Sequence, residues 1–392
     1  MSVDPAPRTT ATAEVRFVTR PQVRSWRCPM PAPHARVFHA SLPGYAPTRL
    51  IPAPALAHRW DVRSVLVKDE SSRFGLPAFK ILGASWAVAR LLAERAGVAP
   101  VELDLPRLRE LAAADRVTLV TATDGNHGRA LARVASWLRL PVEIVVPDVL
   151  SPAADAAIRS EGARVTRIDG PYDDAVRHAA ELAGRLDSAA LVQDTAWEGY
   201  DVVPGWIVEG YHTMFAELED QVAALGFDGV SLVAVPVGVG SLAQAVIAYA
   251  HGTRATGDPG GDAVRVLSCE PDTAACVLGS VVADEPVSVP TAATVMAGLN
   301  CGTPSSLAWP YLRHGLDAAV AVSDDQARAA VGELAAIGVD SGASGAAALA
   351  GAHLALDDPT RRASLGLGPD AVVVLLNTES GAGAGGLGDQ PG

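Results

Sequence analysis

Residues 117–147 read VTLVTATDGNHGRALARVASWLRLPVEIVVP. A β-branched run, VTLVTA, stops at a turn holding two glycines. An Ala- and Leu-rich helical stretch follows, and a second apolar run, PVEIVVP, closes the unit. Apolar strand, helix, apolar strand is the repeat of a parallel sheet covered on both faces. The pattern continues outward. PVEIVVP precedes PAADAAIRSEGA, and ARVTRID (163–169) precedes DDAVRHAAELAGRL. SLVAVPV (231–237) precedes SLAQAVIAYAHG, AVRVLSCEP (263–271) precedes a further helix, and AVVVLLN (371–377) ends the series. The fold class is therefore α/β, with parallel sheets flanked by helices.

At 392 residues the chain is too long for one simple core, and two domains are expected. Hydrophobic residues make up 49%, ample for burial. The formal net charge of −13 argues against nucleic acid, whose phosphates need a basic surface. No apolar run reaches the roughly 18–20 residues of a membrane helix, and the N-terminus lacks the apolar core of a signal peptide. A cytoplasmic protein without a membrane partner is expected. Cys28, Cys269, Cys276 and Cys301 form no C-x-x-C pair, so no metal site is expected. The first 20 or so residues and the last twelve are expected to be loosely ordered, and residues 253–262 to form a turn-rich surface connection.

Open parallel sheets bind ligands at the carboxyl ends of their strands, where strand order reverses. Four strand ends carry polar chemistry. After VTLVTA come Thr123, Asp124, Gly125 and Asn126, at the start of a helix whose free N–H groups suit an anion. Asp124 is either a plain helix cap or a group that does chemistry. After SLVAVPV come Gly238, Val239, Gly240 and Ser241, a turn of the phosphate-cradling type. Ala243 at the third glycine position leaves a nicotinamide cofactor as a minor alternative. Asp194 ends the stretch ALVQD, and Thr378 and Glu379 follow the last strand.

The segment VKDESSRFGLPAFK (67–80) holds both lysines of the chain, Lys68 and Lys80, against 29 arginines. Arg can replace Lys as a cation, but not as an amine that attacks a carbonyl. Either an amine is needed here, or a coding bias toward Arg left two survivors. An amine for an aldehyde, a glycine turn for a phosphate and a neutral hydroxyl at a strand end are together what pyridoxal 5'-phosphate requires.

These segments, in this order, resemble the diaminopropionate ammonia-lyases, within the tryptophan-synthase-β-like (fold type II) pyridoxal-phosphate enzymes. The matching pieces are LPGYAPT (42–48), VKDES-RFGL-AFK, TATDGNHGRA (121–130), QDTAWEGY (193–200), GVGS-A (238–243), EPD with Cys276, MAGLNCG (296–302), WP-LR (309–313), SG-SG (341–345) and NTE (377–379). The resemblance implies a two-domain fold: a large domain of 1–88 and 226–392, with a smaller α/β domain, 89–225, inserted. It implies Lys80 as the Schiff-base lysine, Asn126 at the cofactor's ring oxygen, Gly238, Val239, Gly240 and Ser241 at the phosphate, and Thr378 at the ring nitrogen. Thr123, Asp124, Gly125 and Asp194 would meet a small amino-acid substrate, with Asp124 and Asp194 as the two active-site acids. Lys68 matches a family lysine and is expected to support the site. Cys276 and Cys301 would lie near each other as reduced thiols able to bridge on oxidation. A homodimer is implied by the same resemblance.

The activity implied is α,β-elimination of 2,3-diaminopropionate, D or L or both, to pyruvate and ammonia. Lys80 would take the α-proton of one enantiomer and Asp124 that of the other, where related dehydratases place Ser. Two departures bear on the substrate: Glu379 is followed by SGAGAGG instead of an acidic run, and Ala343 replaces a Glu of the family pattern. The alternatives are another elimination or replacement at the β-carbon, of serine/threonine dehydratase or specialised biosynthetic type, and a catalytically silent cofactor-fold binding protein.

Overall fold

The structure, a computed structural model, describes residues 16–170, 172–253 and 264–382. In chain order its strands are β1 (Phe17–Thr19), β2 (Cys28–Pro29), β3 (Arg49–Pro52), β4 (Ser64–Asp69), β5 (Thr118–Ala122), β6 (Val142–Pro147), β7 (Arg164–Ile168) and β8 (Ala189–Leu191). They continue with β9 (Leu232–Pro236), β10 (Gly252–Thr253), β11 (Arg265–Pro271), β12 (Ala318–Val322) and β13 (Val372–Asn377).

A seven-stranded sheet runs β1-β12-β11-β9-β13-β4-β3, and a four-stranded sheet runs β7-β6-β5-β8. The inner strands of the large sheet and all of the small one are parallel; only the edges β1 and β3 are antiparallel. Side chains of the fully buried central strands alternate between two cores, as a sheet covered on both faces demands. Val372, Val374 and Leu376 of β13 join one core cluster, whereas Val373 and Leu375 join the other. The same alternation separates Val233 and Val235 of β9 from Leu232 and Ala234.

In each sheet the chain leaves one strand toward one side and later returns on its other side. In the small sheet β5 lies between β6 and β8; in the large one β9 lies between β11 and β13. The turns after β5 and β9 therefore sit at topological switch points, where ligands bind.

The helix Lys80–Ala96 packs on the helix Val202–Ala224 at a crossing made close by glycines. A Cβ on Gly83 would lie 2.6 Å from Ile207 Cγ2 and Tyr211 Cε1, and one on Gly210 only 2.4 Å from the Leu82 carbonyl oxygen. That contact fixes the axis of the helix whose first residue is Lys80.

The N-terminal expectation needs correction. Residues 17–19 are an ordered edge strand, because their backbone completes the ladder of β12. Residues 1–15 and 383–392, and 254–262 of the surface connection, lie outside the described residues; Thr253 belongs to β10. Among the described residues, no helix is long and apolar enough to cross a membrane, and no cluster of His, Cys, Asp or Glu could hold a metal ion.

Candidate active site

The segment before Lys80 is pinned to the end of β13. Ala78 bridges Glu379 in antiparallel fashion, Phe79 N–H donates to the Thr378 carbonyl (3.3 Å), and Ser380 N–H donates to that of Pro77 (2.9 Å). Lys80 and Thr378, far apart in sequence, are thereby neighbours at the mouth of the large sheet. From there the Lys80 ammonium donates to Asp194 Oδ2 at 2.7 Å.

Asp194 comes from the small sheet, just past β8. Tyr200 folds back to hold this strand end: its hydroxyl accepts from Gln193 N–H and donates to the Leu191 carbonyl, both at 2.9 Å. Gln193 ties the strand end to β5, accepting from Thr121 Oγ1 (2.8 Å) and Ala122 N–H (2.9 Å).

The turn after β5 frees Asp124 from capping. The helix starts at Asn126 with Gly125 as its cap residue, at φ 147°. Thr123 Oγ1 accepts the amides of Gly125 and Gly128, at 2.9 and 3.0 Å, and so does the capping itself. Asp124 is exposed, although the protein around it is dense enough for burial to raise its pKa.

The three charged groups drive one another's protonation apart. Burial raises the Asp124 pKa, Lys80 opposes the rise, and Asp194 adds to it. Burial would raise Asp194 as well, but Lys80 and then His127 outweigh it and hold Asp194 at about 2. Burial disfavours the Lys80 ammonium, yet Asp194, Tyr211 and Asp124 together raise its pKa. Paired carboxyls with separated protonation are the arrangement of an acid–base site.

The phosphate-type turn joins the same cleft. The helix Ser241–His251 begins after Gly240, at φ 102°, with no side chain capping its first N–H groups. Those groups point where an anion is stabilised. The walls leave no room for side chains: a Cβ on Gly238 would sit 3.0 Å from Cys301 Sγ, and one on Gly240 2.9 Å from Leu312 Cδ1. Ser241 Oγ donates to the Asp194 carbonyl (2.9 Å), and Ser305 links Val239 to Ala196.

Hydrogen bonds and chain neighbourhood thus bring together every residue singled out from the sequence at this site, except Lys68. Asn126 Nδ2 donates to Glu379 Oε2 at 2.8 Å, and Glu379 Oε1 is buried without a hydrogen-bond partner. Lys68 is fully buried and held elsewhere, by Glu217 (3.0 Å), Gln221 (2.9 Å) and the Thr48 carbonyl (3.1 Å). Cys276 and Cys301 are free thiols flanking Gly238.

Four participants were not assigned from sequence. Tyr172 accepts from Gln193 Nε2 at 2.7 Å, and burial together with Asp194 and Asp124 raises its pKa. His127, Gln193 and Glu379 stood inside quoted motifs but carried no role. Tyr172 had no motif at all, only its place beyond a strand end.

The cleft fits pyridoxal phosphate on its own geometry. It offers a lysine amine, an uncapped helix start that excludes side chains, and a strand-end threonine beside that lysine. Comparisons with known proteins agree. The family described as pyridoxal-phosphate dependent enzyme matches residues 42–379. The chain is 36% identical over 354 residues to the diaminopropionate ammonia-lyase of Escherichia coli, covering 88% of this chain and 87% of that protein. Its fold is similar to the crystal structure of the Escherichia coli diaminopropionate ammonia-lyase in complex with D-serine, with TM-score 0.84 and 33% identity, over 93% of this chain and 94% of that one. It is also similar to that enzyme in complex with an aminoacrylate-PLP azomethine reaction intermediate, with TM-score 0.81 and 32% identity, over 93% and 94% of the two chains.

Proposed function

The chain belongs to the pyridoxal-phosphate dependent enzyme family, and from that premise we propose that it is a diaminopropionate ammonia-lyase, eliminating ammonia from 2,3-diaminopropionate. The observation that carries this reading is the trio of Lys80, Asp124 and Asp194, in which the lysine amine donates to Asp194 at 2.7 Å and its charge acts on both carboxyls, one raised and one lowered in pKa. A substrate with a second ammonium at its β-carbon suits such a site, because one carboxylate can bind that group while the other handles a proton.

Gly238 to Ser241 would hold the phosphate through their amides, Asn126 would meet the ring oxygen and Thr378 the ring nitrogen. When bound, the cofactor supplies an electron sink for the pair left at the substrate's α-carbon. The chain's own groups do the rest. Lys80 Nζ takes the α-proton of one enantiomer, and the Asp124 carboxylate takes that of the other. Asp194 holds the β-ammonium, which leaves as ammonia with the electrons of the carbon–nitrogen bond. Thr123 and Gly125 shape the turn that presents Asp124 to the substrate. Addition of one water balances the products as pyruvate and two ammonia. A positioned base contributes roughly 10²–10⁴ to such a rate.

In the same reading, residues 89–225 form a smaller domain inserted between 1–88 and 226–392, and the enzyme is a cytoplasmic homodimer. The division rests on the two separate sheets. The location rests on the acidic composition, and the dimer on family resemblance.

The test is a panel of D- and L-2,3-diaminopropionate, D- and L-serine and L-threonine, with pyruvate or its homologue and ammonia both measured. Two ammonia per pyruvate from a diaminopropionate isomer, at a kcat/KM above that of either hydroxy amino acid, is expected. Preference for serine or threonine would make the protein a dehydratase instead.

A further inference from the structure

Asp194 depends on a partner that the chemistry takes away. Lys80 is its ion-pair partner at 2.7 Å. Once the Lys80 amine serves the cofactor, a buried carboxylate remains that burial alone would push toward protonation. Its other oxygen has only a long contact, 3.4 Å from Gln193 Nε2, and that amide already donates to Tyr172 at 2.7 Å.

The next basic group is His127. Its Nδ1 lies 3.8 Å from Asp194 Oδ2, and among the described residues Lys80 and His127 are the basic groups within 4.0 Å of that carboxylate. The ring is buried, and Nδ1 has no hydrogen-bond partner in this arrangement. At its other end Nε2 lies 2.7 Å from the Val192 carbonyl. A carbonyl only accepts, so Nε2 carries a hydrogen. A neutral ring would then turn the Nδ1 lone pair toward a carboxylate, which is repulsive. A proton on Nδ1 makes the same contact attractive.

We propose that His127 carries a proton on Nδ1 and is the positioning residue of Asp194, holding that carboxylate charged and oriented while Lys80 is engaged with the cofactor. The inference rests on the proposed elimination, in which Asp194 meets the β-ammonium. The other titratable groups turned toward this pair are Asp124 from the turn after β5, Tyr172, Tyr200 and Tyr211 from the surrounding walls, and Cys301. Burial raises the three tyrosines and pushes the Cys301 thiol up to about 12, so these four stay neutral near pH 7. Asp194 and Asp124 are therefore the carboxyls on which a charge at His127 acts.

The experiment is ¹⁵N NMR of histidine-labelled holoenzyme at pH 7, with His127→Gln used to assign the signal. Two protonated ring nitrogens for His127 are expected. In Asp194→Asn the Nδ1 proton should be lost and a neutral Nε2–H ring should remain. A neutral His127 in the unmutated holoenzyme overturns the proposal, whether or not either variant folds. In kinetics, His127→Gln should lower kcat/KM for diaminopropionate by roughly 10- to 100-fold, since an opposite charge within about 4–6 Å favours the ionised carboxylate by about one to three orders of magnitude. The loss should appear chiefly in KM, with the cofactor's absorbance unchanged. An unchanged kcat/KM also overturns it. Absence of diaminopropionate turnover in the unmutated protein would remove the proposed function, yet the NMR result would still decide the state of His127.

Discussion

Asp124 sits just before the helix that starts at Asn126, where burial raises its pKa, whereas at Asp194 the charge of Lys80 outweighs burial. Asn at this position keeps size and shape but cannot accept a proton. If Asp124 is the base for the D-isomer and Lys80 for the L-isomer, Asp124→Asn should cut D-activity by roughly 10²–10⁴ and leave L-activity much less affected. The ratio of the two kcat/KM losses decides, because a defect in binding or folding lowers both together. Equal losses would assign Asp124 to holding substrate or cofactor. Lys80 was legible in the sequence because amine chemistry excludes Arg and the chain has only two lysines. Tyr172 and the role of His127 were not, since their meaning lies in contacts with Gln193, Val192 and Asp194 that exist only once β5 and β8 pair.

At the scale of elements, β12 (Ala318–Val322) was passed over, whereas β5, β6, β7, β9, β11 and β13 were readable from apolar runs alone. The first third of the large sheet was not. β4 is an inner strand, between β13 and the edge β3, yet it ends in Lys68 and Asp69, which spoil an apolar signature. Both charges are paired by distant groups: Asp69 by Arg49 and Asn377, and Lys68 by Glu217. Around Lys68 a buried cluster joins β4, the loop before Lys80 and the helix Val202–Ala224. Arg73 donates to Glu70 at 2.6 and 2.9 Å and to Glu217 at 2.7 and 2.8 Å, and Lys68, Arg73, Glu70 and Glu217 are all essentially without solvent contact.

This cluster gives a prediction in acid. Burial would raise Glu217, but Arg73 and Lys68 outweigh it and hold its carboxyl at about 2, below the ordinary 4.5. A depressed carboxylate contributes stability that is complete above the ordinary value and disappears as pH falls toward the depressed one. Denaturant midpoints should therefore fall between about pH 4.5 and pH 2. Glu217→Gln should flatten that part of the curve and cost roughly 3–5 kcal/mol at neutral pH, since it leaves buried cations without their countercharge. A variant as stable as the parent at pH 7, with the same acid slope, would show that the cluster does not anchor these elements.

Across the whole molecule, two parallel sheets bring their switch points to one cleft, and each sheet supplies part of the site. The large sheet brings Lys80, Thr378 and the Gly238–Ser241 turn; the small one brings Asp124, Asn126 and Asp194. That convergence makes the two lysines inequivalent. Lys68 is sealed in the buried cluster, whereas the Lys80 side chain keeps 26% of its surface open to the cleft. The most direct test of the account uses this difference. The purified holoenzyme is reduced with borohydride, digested and mapped by mass spectrometry. The account predicts one peptide carrying the reduced cofactor, covalently fixed at Lys80. Label on Lys68, or on neither lysine, would contradict it.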